Sequence, residues 1–306
     1  MGATIIMKLS TKKPPFACPP ASKKILALPL LLLASWQAQA QTLPPQTTEP
    51  AQTNTSTRPR YSGNASVPSP RQDANSRLAH EQLVAKAKSG GIDLYFLGDS
   101  ITRRWGATDP QYAAMLANWR QNFFGWNAAN FGWGADRIQN MLWRIQNGEL
   151  EAVNPKVIVI LAGTNNVGTT VGDEAKVADI VAGIRALIET SQQKAPMAKI
   201  ILTAIFPRND NMAVLPEIQQ INQGIEKLSD GKTIYYLNVN DKLASPDGTL
   251  FEGMTADKLH LTVKGYQVWA EGLQPLLAQL LGPPAPTDHA PPPTGDPSAA
   301  KPAPGS

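Results

Sequence analysis

The chain has 306 residues, a formal net charge of +4 and a single cysteine. Residues 8–24 contain five lysines and no acidic residue, so without them the net charge falls to −1 and no basic patch for a nucleic-acid partner is expected. The cysteine, Cys18, lies in the same segment. The remainder of the chain therefore has neither a disulfide nor a thiol nucleophile.

Residues 1–40 have the order of a secretory signal peptide. The basic segment is followed by the apolar run 25–36 and then by Ala38-Gln39-Ala40, a small-x-small cleavage site. The apolar run is shorter than the ~20 residues that a transmembrane helix needs. The sequence therefore predicts a periplasmic or secreted protein with no stable membrane insertion after cleavage, and an uncleaved membrane anchor is the alternative.

Two further segments have the composition of disordered chain. Residues 41–75 are rich in Pro, Thr, Ser, Asn and Gln, and residues 282–306 are rich in Pro, Ala and Gly. Such segments bury too little apolar surface to offset their ordering entropy. The sequence thus predicts a disordered linker, one folded domain over 76–281 and a disordered tail.

Within the domain, short apolar runs alternate with amphipathic segments of helical spacing. The run 157–161, Val-Ile-Val-Ile-Leu, is apolar on both faces, which is typical of a buried parallel strand. The other strand candidates are 92–97, 127–131, 200–205 and 233–237. Alternating strands and helices predict the α/β class, here a three-layer α/β/α sandwich, flavodoxin-like, with about five parallel strands.

Candidate site residues directly follow successive strands. Ser100 follows the first strand, Ala135 the second and Asn165 the third. Because ligands of open parallel sheets bind beyond the carboxyl ends of the strands, these three residues are expected at one edge.

Ser100, in Gly98-Asp99-Ser100, needs a base to act as a nucleophile, and histidine is the usual one. The chain has three histidines: His80 lies in the first predicted helix and His289 in the tail, which leaves His260. Asp257, three residues earlier, can orient the imidazole and stabilise its charged form. The pattern predicts a Ser-His-Asp triad, although the Gly-x-Ser-x-Gly motif of α/β-hydrolases is absent.

Acyl transfer also needs hydrogen-bond donors for an oxyanion. The Asn165 side chain, in Gly163-Thr164-Asn165, can donate one hydrogen bond, and a backbone N–H of the loop 130–136 can donate another. Each stretch taken singly is also an ordinary turn.

Four blocks in order resemble the signature of SGNH (GDSL-type) serine hydrolases. They are Gly98-Asp99-Ser100, the loop 130–136, Gly163-Thr164-Asn165 and Asp257-x-x-His260. The stretch from Asn130 through Trp143-Arg144 and Gly148-Glu149 to Asn166 is most similar to the catalytic subunits of platelet-activating-factor acetylhydrolases and their bacterial relatives. The resemblance covers roughly residues 80–281.

The resemblance implies an esterase that works through an acyl-enzyme without a metal or organic cofactor. It assigns Ser100 as the nucleophile, His260 as the base and Asp257 as the orienting acid. The oxyanion hole would comprise the N–H groups of Ser100 and Ala135 and the Asn165 amide. Ala135 stands where the family has glycine, so its methyl group could narrow the acyl pocket.

The expected substrate is a small ester or an acetylated glycan, because relatives often act on short acyl groups. The alternatives are a lipid esterase, lysophospholipase or thioesterase with the same triad, and a non-catalytic glycan-binding module on a hydrolase scaffold. The sequence makes no prediction of an oligomeric state.

Aromatic and basic residues near these blocks are candidates for the substrate rim. Trp105, just past the nucleophile, and Trp133, between two glycines of the oxyanion loop, are expected there. Trp119 and Trp143 are expected in packing. Three arginines could meet anionic groups, although exposed arginines are usually only solvated: Arg103, Arg104 and Arg137.

Overall fold

The structure, a computed structural model, describes residues 63–300. The predicted signal peptide, most of the predicted linker and residues 301–306 lie outside the described residues. Between residues 63 and 300, no helix has the length and apolar character that crossing a membrane requires.

A five-stranded sheet forms the centre of the fold, as predicted. All its strands are parallel, in the order β2-β1-β3-β4-β5. Every residue of the central strands β1 and β3 is buried, which explains their continuous apolar sequences. The strands are β1 (Leu94–Gly98), β2 (Ala128–Asn130), β3 (Val157–Leu161), β4 (Lys199–Thr203) and β5 (Ile234–Leu237).

Helices connect the strands. The described helices are α1 (Ala74–Lys88), α2 (Ser100–Trp105), α3 (Ala113–Phe123), α4 (Ile138–Arg144), α5 (Thr164–Val167), α6 (Glu174–Lys194), α7 (Leu215–Glu226), α8 (Asn240–Leu243) and α9 (Val263–Leu281). Short 3-10 turns occupy Pro110–Tyr112, Met212–Val214 and Pro297–Ala300, and a π turn, Ile145–Glu149, extends α4.

The helices cover both faces of the sheet and give the predicted three layers. On one face, α1, α4, α6 and α7 bury apolar side chains such as Met141 and Ile184. On the other, α2, α3 and α9 bury an aromatic group that includes Trp105, Phe123 and Trp269. Burial of these two apolar faces supplies the main driving force for the fold.

The predicted linker differs from the structure over its last residues. Ala65 is fully buried, and its N–H donates to the Asp179 carboxylate at 3.2 Å. The Ala65 side chain packs against Gly183 of α6. A Cβ on Gly183 would lie only 2.7 Å from the Ala65 Cβ, so a larger residue there would clash. Asp73 then caps α1 by accepting from the Ser76 N–H at 2.8 Å. Residues 63–73 are therefore an arm packed on the domain, and residues 74 and 75 belong to α1.

The predicted disordered tail is corrected in the same way for residues 282–300. Its Ala285 N–H donates to the Gly125 carbonyl at 2.9 Å, and its Asp288 carboxylate accepts from the Gly125 N–H at 2.9 Å. Further along, the Asp296 carboxylate accepts from the Asn75 amide at 2.9 Å. Polar and backbone groups hold this segment, which is why a count of apolar residues did not reveal it.

Candidate active site

Ser100 is the first residue of α2, directly beyond the carboxyl end of β1. The preceding Asp99 caps this helix by accepting from the Ile101 N–H at 2.9 Å. Gly98 makes the turn possible, because a Cβ there would lie 2.0 Å from the Thr102 hydroxyl oxygen. The turn is thus fixed on both sides of Ser100.

The structure brings Ser100, His260 and Asp257 together. The Ser100 Oγ lies 2.9 Å from His260 Nε2, and His260 Nδ1 lies 2.7 Å from Asp257 Oδ2. Both distances are hydrogen bonds. Hydrogen bonds therefore connect the hydroxyl to the imidazole and the imidazole to the carboxylate. This is the arrangement of a nucleophile, its base and the group that orients the base.

The loop that precedes α9 holds the His260 imidazole in place. Asp257 Oδ1 accepts from the backbone N–H of His260 at 2.7 Å and of Leu259 at 3.2 Å. Lys258 between them adopts a left-handed φ of 66°. Asp257 therefore fixes the backbone of His260 as well as its ring.

The protonation states of this pair suit general-base chemistry. Burial lowers the pKa of His260 and outweighs the opposing effect of Asp257. Partial burial would raise the pKa of Asp257, but the hydrogen bonds from the His260 backbone and ring prevail and lower it to about 2. At neutral pH the carboxylate is therefore ionised and the imidazole is neutral and able to accept a proton.

Arg104 also lies beside the triad. The sequence suggested it only as a residue that could meet anionic groups. Its Nη1 lies 3.4 Å from Asp257 Oδ2, and its guanidinium lies over the Tyr112 ring. Its positive charge contributes to the lowered pKa of His260. Arg104 therefore favours the neutral form of the His260 imidazole.

The loop 130–136 is fastened to the turn that carries Ser100. The Asn130 amide donates to the Thr102 carbonyl at 2.6 Å, and the Trp133 N–H donates to the Gly98 carbonyl at 3.1 Å. Gly132 leaves the space for this contact, because a Cβ there would lie only 2.5 Å from the backbone nitrogen of Arg103.

Ala135, in this loop, has a left-handed φ of 60°. Glycine adopts that conformation without strain, whereas alanine does not. Among the described residues, neither the Ala135 N–H nor the Ser100 N–H has a protein acceptor. Both donors are therefore available to a ligand.

Asn165 lies on α5, which follows the carboxyl end of β3. Its Nδ2 donates to the Asp136 carbonyl at 2.8 Å, which ties it to the loop that holds Ala135. A side-chain amide has two N–H groups, so one N–H is not used by this contact.

Behind the loop lies a buried charge network that the sequence pattern did not predict. Arg144 Nε donates to Asp136 Oδ2 at 2.7 Å, and its Nη1 donates to Glu149. Glu149 also contacts His80 Nδ1 at 2.8 Å, so His80 is engaged away from Ser100. Both Arg144 and Glu149 lie in the stretch that carries the family resemblance, so the available sequence signal was this pair of opposite charges five residues apart.

Two buried carboxyls next to the site have raised pKa values. Burial raises the pKa of Asp99 to about 7, and the nearby Asp136 adds to the effect. Burial also raises the pKa of Asp136 to about 6, although Arg144 opposes it. Both groups consequently titrate near neutral pH instead of near pH 4.

The expectation of two tryptophans at the substrate rim is wrong for Trp105. Its side chain is fully buried, stacks on Tyr266 and donates to Asn118 Oδ1 at 2.9 Å, because α2 turns it into the aromatic core. Trp133 is 8% exposed, lies under the Arg103 guanidinium and donates to Ser76 Oγ at 2.8 Å. Trp119 packs in the same core as Trp105, as expected.

The described part of the chain contains no group of three or more His, Cys, Asp and Glu side chains arranged to hold a metal ion.

Comparison with known proteins shows the family of this chain. The model of the GDSL-like lipase/acylhydrolase family matches residues 96–268. The human platelet-activating factor acetylhydrolase IB subunit alpha1 is 31% identical over 223 residues, which cover 71% of this chain and 90% of that protein. The alpha2 subunit from Gallus gallus is 31% identical over 204 residues, covering 66% of this chain and 83% of that protein.

A solved structure shares the fold. The GDSL-like lipase from Bacteroides thetaiotaomicron superimposes with a TM-score of 0.53 at 19% identity, covering 66% of this chain and 97% of that chain. The protein is a carboxylic ester hydrolase. Specifically, the chain belongs to the GDSL-like lipase/acylhydrolase family, and the expected family resemblance is confirmed.

Proposed function

We propose that this protein is an exported serine esterase that removes short acyl groups, in particular acetyl, from carbohydrate or small-molecule esters. The hydrogen-bonded series from Ser100 through His260 to Asp257 is the observation that carries the proposal. Membership of an acylhydrolase family supports the same reaction class.

The reaction proceeds in two halves. His260 Nε2 accepts the Ser100 proton as Oγ attacks the ester carbonyl carbon, and Asp257 stabilises the imidazolium. The imidazolium then protonates the departing alcohol, which leaves an acyl-enzyme on Ser100. In the second half His260 takes a proton from water, the resulting attack releases the carboxylic acid, and Ser100 regains its proton.

The tetrahedral intermediates need their negative oxygen stabilised. We assign this to the N–H groups of Ser100 and Ala135 and to the Asn165 amide, whose free donors support the assignment. Loss of one such donor typically lowers kcat by about 10²–10³-fold. Asn165→Ala should fall in that range, because its side chain supplies one of three donors.

The names of the relatives support a short acyl group, because the relatives that match most of this chain are named acetylhydrolases.

A lipid esterase or thioesterase remains the second candidate, because it would use the same triad. Hydrolysis of p-nitrophenyl esters with acyl chains from two to twelve carbons separates the two. The proposal expects the highest kcat/KM for acetate, whereas a maximum at eight carbons or more would support the lipid esterase.

Variants test the catalytic assignment. Ser100→Ala should abolish hydrolysis, because within residues 63–300 the Ser100 hydroxyl is the one that contacts His260 Nε2. Ser89→Ala is the matched control, since Ser89 is an exposed serine at the end of α1 and should retain full activity. Unchanged hydrolysis by Ser100→Ala would instead favour a non-catalytic, glycan-binding module.

Export is the remaining part of the proposal, and it rests on the basic, apolar and small-residue order of residues 1–40. Expression of the full chain in a Gram-negative host, fractionation and amino-terminal sequencing test it. Mature protein that begins near residue 41 in the periplasm or medium is expected. Uncleaved protein in the membrane fraction would favour the anchor.

A further inference from the structure

A polar cavity of about 200 Å³ lies beside the loop that holds Ala135. Its wall includes Arg71, Asp73, Arg103, Trp133, Gly134 and Asp296. One residue of the wall, Gly134, directly precedes Ala135, the proposed oxyanion donor, in the sequence. A Cβ on Gly134 would meet no atom within 4 Å, so the backbone at this point faces open space.

Distant parts of the chain build this cavity, among them the arm and the tail. The arm contributes Arg71, whose Nη1 donates to the Gly134 carbonyl at 2.9 Å and whose Nη2 contacts Asp73 at 2.9 Å. The tail contributes Asp296, held by the Asn75 amide at 2.9 Å. Both segments lie outside the four signature blocks, yet both are ordered against the edge that carries the site.

The charges of the cavity balance or lean negative. Arg103 is paired with Asp109 at 2.9 Å, and Arg71 is paired with Asp73, which leaves Asp296 as an additional carboxylate. An anionic group would therefore meet guanidinium groups that are already neutralised. An aliphatic chain would desolvate these charges without replacing their hydrogen bonds, which is costly.

A neutral polyhydroxyl group fits this wall. Each hydroxyl can donate to a carboxylate such as Asp73 or Asp296 and accept from a guanidinium N–H. The only aromatic ring in the wall, that of Trp133, is almost covered, so hydrogen bonds and not stacking would give the recognition.

We infer that this cavity is the alcohol-side subsite and that it binds the sugar ring whose acetyl ester is presented to Ser100. The inference rests on the proposed esterase function and specifies its substrate. The arm and the tail are thus specificity-determining segments, and Asp73 and Asp296 are hydrogen-bond acceptors for sugar hydroxyls.

The test compares two acetates whose alcohols are similar in size. One is a mono-O-acetylated methyl glucoside and the other is cyclohexyl acetate, which lacks the hydroxyl groups. Wild-type protein should have the higher kcat/KM for the sugar ester. Asp296→Ala should lower kcat/KM for that ester by about tenfold, mainly through KM, and change cyclohexyl acetate less than about twofold.

A second variant guards against local loosening of the tail. Asp73→Ser removes the carboxylate from the cavity but keeps a residue that can cap α1, and the same selective loss is expected. Asp241→Ala is the matched control, because this exposed aspartate is on α8, next to β5 at the far edge of the sheet, and should change neither substrate.

The outcomes separate the two claims. If the wild type prefers the sugar ester but both variants keep that preference, the subsite is wrong and the proposed function stands. If the wild type hydrolyses neither acetate, the proposed function fails first. A preference for an acetylated phospholipid over both acetates would overturn the sugar subsite and favour a lipid.

Discussion

The Arg144 guanidinium lies 2.7 Å from the carboxylate of Asp136, the residue that follows the left-handed Ala135. Both side chains are almost fully buried. Because Asn165 donates to the Asp136 backbone carbonyl, this one residue joins the buried charge network to two of the proposed oxyanion donors. The network therefore positions Ala135 and Asn165, although its own side chains are not among the proposed oxyanion donors.

Arg144→Met should test this relationship. The change leaves Asp136 and Glu149 buried without their shared partner, and removing one member of a buried ion pair typically costs about 3–5 kcal/mol. Urea unfolding should show that loss in free energy. The variant protein that remains folded should have a lower kcat. Arg185→Ala, at an exposed position on α6, is the control and should remain within about 0.5 kcal/mol of the wild type.

Ala135→Gly should stabilise the protein. Alanine at a φ of 60° carries roughly 1–2 kcal/mol of steric strain, which glycine removes at the cost of about 0.5–1 kcal/mol of unfolded-chain entropy. A small rise in Tm with retained esterase activity is expected. Ala85→Gly, at an exposed position inside α1, should lower Tm instead. A fall in Tm for both variants would show that residue 135 is not strained.

The pH profile of kcat/KM should report His260. Because only the neutral imidazole accepts the Ser100 proton, activity should rise with pH, with its midpoint below pH 6.5, the ordinary pKa that burial lowers here. Arg104→Gln removes a nearby positive charge, so the pKa of His260 and the midpoint should both move upward. An unmoved midpoint would show that Arg104 does not influence the imidazole.

Asp99→Asn should change stability in a pH-dependent way. The pKa of Asp99 is raised to about 7 in the folded protein, from an ordinary value of 3.8. A raised folded pKa stabilises the fold below the ordinary value, and this contribution is lost as pH rises through the folded value. The amide keeps an acceptor for the Ile101 N–H. In urea, the variant should therefore gain stability relative to wild type between pH 4 and pH 8, and an unchanged difference would contradict the raised pKa.

The sequence predicted the layers, the strand edge and the triad because each leaves a local pattern. The apolar runs of β1 and β3 are continuous, and a single histidine, His260, is available beyond the strands. Three-dimensional packing decided what the sequence did not reveal. The left-handed φ of Ala135 and the burial of Trp105 depend on contacts with the turn at Gly98 and with the aromatic core, respectively.

The arm and the tail were missed for a different reason. Composition identifies segments that cannot form a core of their own, but it does not show whether another domain surface holds them. Here Asp179, Gly125 and Asn75 supply hydrogen bonds from positions more than a hundred residues away in sequence. Those partners are visible only once the fold brings them together.

The central claim is that Ser100 carries the acyl group during turnover. Acid quenching of the enzyme during hydrolysis of p-nitrophenyl acetate, followed by peptide mass spectrometry, tests it most directly. We predict one acetyl group on the peptide that contains Ser100, and none in Ser100→Ala. An acetyl group on another residue, or full turnover by Ser100→Ala, would contradict the mechanism.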